Sequence, residues 1–286
     1  MTALFGTKEG KQNIDTRKSA RHNAPLRIAV VNLMPDKRAT EMQFRALLSR
    51  SGAEIDCIRM ASYTSKRGRD LDCVRRYKTY DEIQGEHYDA MIFTGAPVEC
   101  IDYADIVYWE ELTRLFDYAE RRVESTMFIC WAAQAALHYF YGIGHRTASH
   151  KIFGVYDYPR REENALFAGF DDRYYIPHSR HTYVRSGDVA VDSIDILAAR
   201  EETGISLAAD GNRGFLFNFG HWEYDRNTLH REYLRDLSRQ KPIRPPENYY
   251  RGDDPAAEIC VRWRASATLF FENWAHLARQ KARAVQ

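Results

Sequence analysis

The sequence predicts an α/β fold of three layers, α/β/α, in which a mostly parallel sheet is covered by helices on both faces. Two observations carry this. Short apolar runs alternate with amphipathic segments at strand–helix–strand–helix spacing through the first half of the chain. A chain of 286 residues that is 44% hydrophobic can also bury the large core such a fold needs.

The elements follow in order. RIAVVNL, 27–33, is an apolar run followed by Pro35 and reads as the first strand. TEMQFRALLSR, 40–50, has apolar positions at helical spacing, with Gly52 just beyond. AEIDCIRM, 53–60, predicts a second strand, and the charged stretch 61–86 is irregular, with TSKRGRD as an exposed loop. YDAMIFTGAP, 88–97, is a third strand breaking into a turn; an amphipathic helix over 105–122 follows, and TMFICW then leads into the helix former AAQAALHYFYGI. Right-handed crossovers are the topological default.

The second half is less regular. Strands are expected at KIFGVYDY, YYIPHS, SIDILAAR, GISLAAD and GFLFNFGH, and a polar helix at 227–240. KPIRPPENYYRGDDPA has four prolines and reads as a long surface connection or wrap; SATLFFENWAHLARQKARAV reads as a terminal helix. The expected organisation is a flexible arm, 1–26, before one domain, 27–286, with an irregular C-terminal extension, 241–286.

Composition narrows the function. The formal charge is +1, and the aromatic residues are not interleaved with a basic stripe, so nucleic acid is not an expected partner. The basic bias is local, with six Lys/Arg against two Asp/Glu in residues 1–27, a polar segment without the apolar core of a secretory signal. No stretch approaches the roughly 18 apolar residues of a membrane span. Five widely spaced cysteines (57, 73, 100, 130 and 260) suit a reducing compartment, which predicts a cytoplasmic protein. His178 and His181 are three apart, but no further ligand spacing supports a metal.

Three stretches end a predicted strand with reactive or permissive residues: TGAP, 94–97; Cys130; and GHWEY, 220–224. Cys130 would stand at the first turn of a helix, where N–H groups and the dipole favour a thiolate and could stabilise an oxyanion. On that ground alone it is either a nucleophile or a buried thiol filling space. His221 and Glu223, two apart after GFLFNF, would share one side of a strand and supply a base with its orienting carboxylate. Together they suggest a Cys-His-Glu triad. Gly95 either lets backbone approach a ligand or makes a plain turn. Arg235 either grips a carboxylate beside Glu232 or forms an i,i+3 surface ion pair with it. PHSRHT, 177–182, is a functional loop or a structural polar network.

Longer ordered motifs go further. VVNLMPDKRATEMQFRALLS, FTGAPVE, YWEEL, STMFICWAAQAAL, KIFGV, GFDDRYYIPHSRHT, GHWEYDRNTLHREYLRD and PPENYYRGDDP resemble, in order, the homoserine O-acyltransferase family of methionine biosynthesis. The resemblance runs from about residue 27 to about 274. It implies a class I glutamine amidotransferase-like (flavodoxin-like) fold and a ping-pong acyl transfer from an acyl-CoA cosubstrate to homoserine, with no permanently bound cofactor. Cys130 is then the nucleophile, His221 the base and Glu223 its partner. Lys37 matches the family lysine near the acyl group, N–H groups around Gly95 and Trp131 form the oxyanion site, and Glu232 and Arg235 bind homoserine, Arg235 through the α-carboxylate. Glu99 occupies the position that separates acetyl from succinyl users, which tend to carry glycine there. A carboxylate would repel succinate's distal charge, so acetyl-CoA is expected; the other reading is a cap or a solvent-facing group.

The chain departs from the family pattern in its amino-terminal segment, which bears on the expected homodimer. It also departs at Trp222, where proline is common, at Met42, and in the NWAHLARQ tail. Serine or another hydroxy amino acid as acceptor, succinyl transfer, a glutamine amidotransferase-like amidase and a non-catalytic interaction module are the rival readings.

Overall fold

A computed structural model describes residues 25–63, 75–161 and 163–284. The expected arm therefore lies outside the described residues apart from its last two positions, as do the TSKRGRD loop and Cys73. Leu26 already belongs to the core, only 2% exposed.

The first half alternates as the sequence predicts. β1 (Arg27–Val31) leads through Asp36, whose side chain accepts from the Ala39 N–H, into α1 (Lys37–Leu47). After β2 (Glu54–Ile58), the stretch expected to be irregular holds a one-turn helix, α2 (Tyr80–Ile83), closed by a Thr79–Glu82 capping box. β3 (Ala90–Phe93), α3 (Trp109–Arg122), β4 (Ser125–Ile129) and α4 (Trp131–Tyr141) follow.

β5 (Arg146–Pro159) and β6 (Arg173–Tyr183) are longer than the motifs suggested and form a separate antiparallel ribbon. β7 (Ile194–Arg200), β8 (Gly204–Asp210) and β9 (Phe215–Asn218) return to the main sheet, and α5 (Thr228–Ser238) and α6 (Arg264–Ala284) complete the order. The seven-stranded sheet runs β2-β1-β3-β4-β9-β8-β7, parallel from β2 to β9 and antiparallel over β9-β8-β7.

Strand periodicity explains the layers. Ile28, Val30, Ile92, Met127 and Ile129 pack on one face with Phe44 of α1 and Phe270, Phe271 and Trp274 of α6. Their neighbours Ala29, Val31, Met91, Phe93, Phe128 and Phe217 pack on the other with α3 and α4. Both faces are buried, so the strands read as continuous apolar runs and not as alternating ones.

The C-terminal stretch 241–263 lacks regular secondary structure beyond one 3-10 turn, yet it is more than a surface wrap. Tyr249, Tyr250 and Trp263 are almost fully buried; Gly154 bridges Glu247, and the Tyr249 hydroxyl bonds the Arg226 carbonyl. Four prolines remove backbone donors from the stretch, and these aromatic anchors hold it in their place.

Candidate functional site

Cys130 follows directly on β4. Its N–H donates to the Asn218 carbonyl at the end of β9 (2.6 Å), and its own carbonyl accepts from Ala133 in the first turn of α4. Strand and helix axes leave one residue to reverse direction, and Cys130 does so with φ +52° and ψ −113°. A non-glycine residue held there carries backbone strain of about 1–3 kcal/mol, a cost typical of positions where side-chain aim matters. The thiol is 6% exposed and faces the cleft described below.

His221 and Glu223 do meet, but not by the strand geometry expected from the sequence. β9 stops at Asn218, whose side-chain oxygen takes the Gly220 N–H (3.0 Å), and the chain turns. A Cβ on Gly220 would sit 2.2 Å from Ile176 Cγ2, so only glycine lets the turn press against β6. There the His221 N–H donates to the Pro177 carbonyl (2.8 Å). The turn sends Trp222 the opposite way, its indole N–H on the Tyr175 carbonyl (2.8 Å) and its ring 4.0 Å from Phe270 of α6. His221 and Glu223 are left together, with Nδ1 2.6 Å from Oε1 and both side chains buried. Tyr224 stacks on the imidazole at 4.2 Å and 8°, fixing its plane.

Cys130 and His221 line the same cleft, and the charge on the thiol acts on the imidazole. Burial alone would lower the His221 pKa, but the charges of Cys130 and Glu223 and the hydrogen bond to Glu223 outweigh it and hold the value well above the usual histidine range. Cys130 and the hydrogen-bonded His221–Glu223 pair are thus gathered at the cleft. Gly95 closes against them: a Cβ there would stand 3.3 Å from the Cys130 Cβ and 3.4 Å from His221 Cε1. Trp131 begins α4, where helix N–H groups point toward the cleft end of β4.

The cleft has a volume of about 380 Å³ and two unlike ends. Its polar end was only partly legible in the sequence. Glu232 and Arg235, on α5, do pair (3.2 Å), as the ion-pair reading expects, yet both line the cleft. Lys151 of β5 donates to Glu232 (2.7 Å) and Asp236 (3.3 Å), Ser179 of β6 donates to Glu232 (2.9 Å), and Arg235 Nε donates to Asp236 (2.9 Å). Burial pushes the Glu232 carboxyl up, but Lys151, Ser179 and Arg235 together bring it below the ordinary range. Lys151, Ser179 and Asp236 carry no signal of their own in the sequence beyond their places in KIFGV, PHSRHT and GHWEYDRNTLHREYLRD.

PHSRHT lies inside β6 and is not a loop, and the polar-network reading fits it. Ser179 faces the cleft, while His178 and Arg180 are wholly buried in a polar network with Tyr158, Thr182 and Thr203. Burial, with Arg180 and His221 nearby, drives the His178 pKa well below the usual value, so its ring is neutral.

Glu99 lines the same cleft, but it is not a bare charge. Its Oε2 accepts from the His181 N–H (2.8 Å) and lies 3.3 Å from the Thr182 hydroxyl. Lys37 stands apart from the expected acyl position. Its ammonium donates to the Asn32 carbonyl (2.8 Å), and it borders a neighbouring apolar cavity and not the cleft around Cys130. Among the described residues no cluster of side chains could hold a metal ion.

The family model described as homoserine O-succinyltransferase matches residues 7–283, so the match enters the segment read as an arm. Homoserine O-acetyltransferase of Parabacteroides distasonis is 44% identical over 263 residues, covering 90% of this chain and 84% of that one. Its namesake from Bacteroides thetaiotaomicron is 43% identical over 267 residues (91% and 87%). The one from Streptococcus thermophilus is 41% identical over 273 (92% and 85%). Among solved structures, a glutamine amidotransferase from Thermotoga maritima superposes with a TM-score of 0.60 at 11% identity, covering 90% of this chain and 99% of its own. That likeness concerns the fold, and it matches the amidotransferase-like architecture expected from the motifs.

Proposed function

The chain belongs to the homoserine O-succinyltransferase family, and from that membership we propose that it moves an acetyl group from acetyl-CoA to the hydroxyl of L-homoserine through a thioester on Cys130. The product, O-acetyl-L-homoserine, would serve methionine biosynthesis. The observation that carries this reading is Cys130 sharing one cleft with the hydrogen-bonded His221–Glu223 pair and with a charge-paired polar site.

The cysteine sulfur attacks the thioester carbonyl, and the oxyanion is met by N–H groups around Gly95 and Trp131. The tetrahedral intermediate expels the CoA thiolate, which leaves with the proton held by His221, and the acetyl group stays on Cys130. The homoserine hydroxyl then gives its proton to His221 and attacks the acyl carbon; the cysteine thiolate departs and the imidazolium stands beside it again. Glu223 keeps the imidazole oriented and stabilises its charged form. Arg235 takes the α-carboxylate of homoserine, and Glu232 fixes the amino end, held in place by Lys151 and Ser179.

The family model carries a succinyl name and the similar relatives an acetyl one; Glu99 supports acetyl. Its carboxylate is anchored on the cleft wall by His181, so a succinyl carboxylate would meet a fixed like charge in a confined space. Glycine in its place removes that repulsion and adds volume.

No helix among the described residues is long and apolar enough to cross a membrane. A cytoplasmic, homodimeric enzyme of one acyltransferase domain completes the reading.

The test pairs intact-protein mass with product analysis. Acetyl-CoA alone should add one acetyl group to the protein and none to Cys130→Ala, and homoserine should then discharge it as O-acetylhomoserine. A higher kcat/KM for succinyl-CoA than for acetyl-CoA refutes the donor, and faster discharge by serine refutes the acceptor. Glu99→Gly should narrow the donor preference.

A further inference from the structure

Ping-pong transfer through one thiol requires two different molecules to reach Cys130 in turn, and the cleft offers two unlike approaches. The polar approach is filled with charge: Lys151, Ser179, Glu232, Arg235 and Asp236. At the opposite end the wall is Met34, Pro35, Pro97, Val98 and Ile101. Those same five residues also line a second cavity of about 230 Å³, so the two spaces adjoin.

The second cavity is mainly apolar. Leu33, Ile106 and Tyr108 complete its interior, and Tyr63 and Val107 stand at its rim, the two tyrosine rings packed at 5.7 Å. Apolar exposure concentrates here. Val107 is 74% exposed, Tyr63 47% and Ile101 44%, three of the seven large hydrophobic side chains left in solvent among the described residues. Such exposure around a concave apolar surface marks a place that something covers. Lys37 and Asp105 are the two charged residues on its border.

We propose that this cavity receives the pantetheine arm of the acyl-CoA donor and guides its thioester past Pro97 and Val98 to Cys130. The inference rests on the donor reading above. Pantetheine fits by chemistry: it is a thin chain with a gem-dimethyl group that gains from apolar burial, and two amides that can hydrogen-bond at a polar edge. The amino acid acceptor, charged at both ends of its α-carbon, has nothing to gain there and is matched by the other end of the cleft.

The test compares thioesters of different length on the full chain, in the wild type and in Val107→Asp and Tyr63→Asp, two rim positions that do not line the Cys130 cleft. Cys130 acetylation is followed by intact mass with acetyl-CoA, S-acetylpantetheine and S-acetyl-N-acetylcysteamine; the last has the thioester and one amide but lacks the gem-dimethyl portion. The expected result is a KM raised about tenfold or more for the two long donors and unchanged for the short one, with the acceptor KM unaffected. Unchanged KM for the long donors in both variants overturns the inference, as does an equal loss with all three, which would report damage to the fold or the thiol. If no thioester acetylates wild-type Cys130, the donor reading itself falls and takes this one with it.

Discussion

The two sides of the cleft are built differently. Cys130, Gly95 and His221 stand at or just beyond the ends of buried parallel strands, with Cys130 6% and His221 2% exposed. Lys151, Ser179, Glu232 and Arg235 come from the antiparallel ribbon and from α5, and the Arg235 side chain is 47% exposed. One side fixes atoms by packing, backbone hydrogen bonds and close approach of glycine. The other arranges charges that hold one another. Reactivity should therefore depend on the first and recognition of the acceptor on the second.

Glu223→Gln strikes the packed side hardest. The second carboxylate oxygen is buried with no hydrogen-bond partner among the described residues, so an amide facing His221 with its oxygen buries an unpaired NH₂. Both half-reactions should slow by roughly 10²–10⁴-fold in kcat while the acceptor KM changes little; a pure KM effect in stopped-flow acetylation would break the comparison.

Arg235→Met should do the reverse. Losing a guanidinium that grips a carboxylate should raise the homoserine KM by about 10–100-fold. Acetylation of Cys130 by donor alone should keep its wild-type rate, and slowed acetylation would show that the two sides are not separable.

Next comes the pH dependence of stability. The folded pKa of Glu232 is depressed below its unfolded value of about 4.3, so its contribution is present above that value and lost as pH falls through the lower folded one. His221 has a raised folded pKa, so its contribution is complete below about 6.5 and lost as pH rises through the folded value. Thermal melts should thus show the acceptor side failing in acid, and Glu232→Gln should flatten the acid limb alone.

The smallest effect concerns the backbone at Cys130. With φ at +52°, Cys130→Gly should be more stable than Cys130→Ala by about 1 kcal/mol, both inactive, as read from denaturant midpoints. Equal stability would mean that the surrounding structure relaxes and the strain is not held.

Legibility in the sequence divides along the same line. The parallel half was readable because each strand is a closed apolar run between helical periods, and Cys130 was readable because it ends such a run. His221 and Glu223 were found by a spacing rule that the structure replaces: β9 ends three residues before His221, and a turn forced by Gly220 aligns them. The ribbon was harder. Its strands β5 and β6 contain prolines and charges, and Lys151 meets Glu232 across 81 residues of chain, a contact no local pattern encodes. Lys37 shows the limit of resemblance: the motif located the residue, but its ammonium is spent on the Asn32 carbonyl outside the Cys130 cleft.

The turn that carries His221 leans on residues made later. Trp222 rests on Phe270, and Trp263 donates its indole N–H to the Tyr224 carbonyl (2.9 Å). During synthesis, then, the thiol leaves the ribosome well before the buttress that sets its base. A nascent chain that has reached α5 holds Cys130, His221 and Glu223 without the aromatic support packed behind the turn. The order of translation thus places the support of His221 among the last parts of the fold to be made.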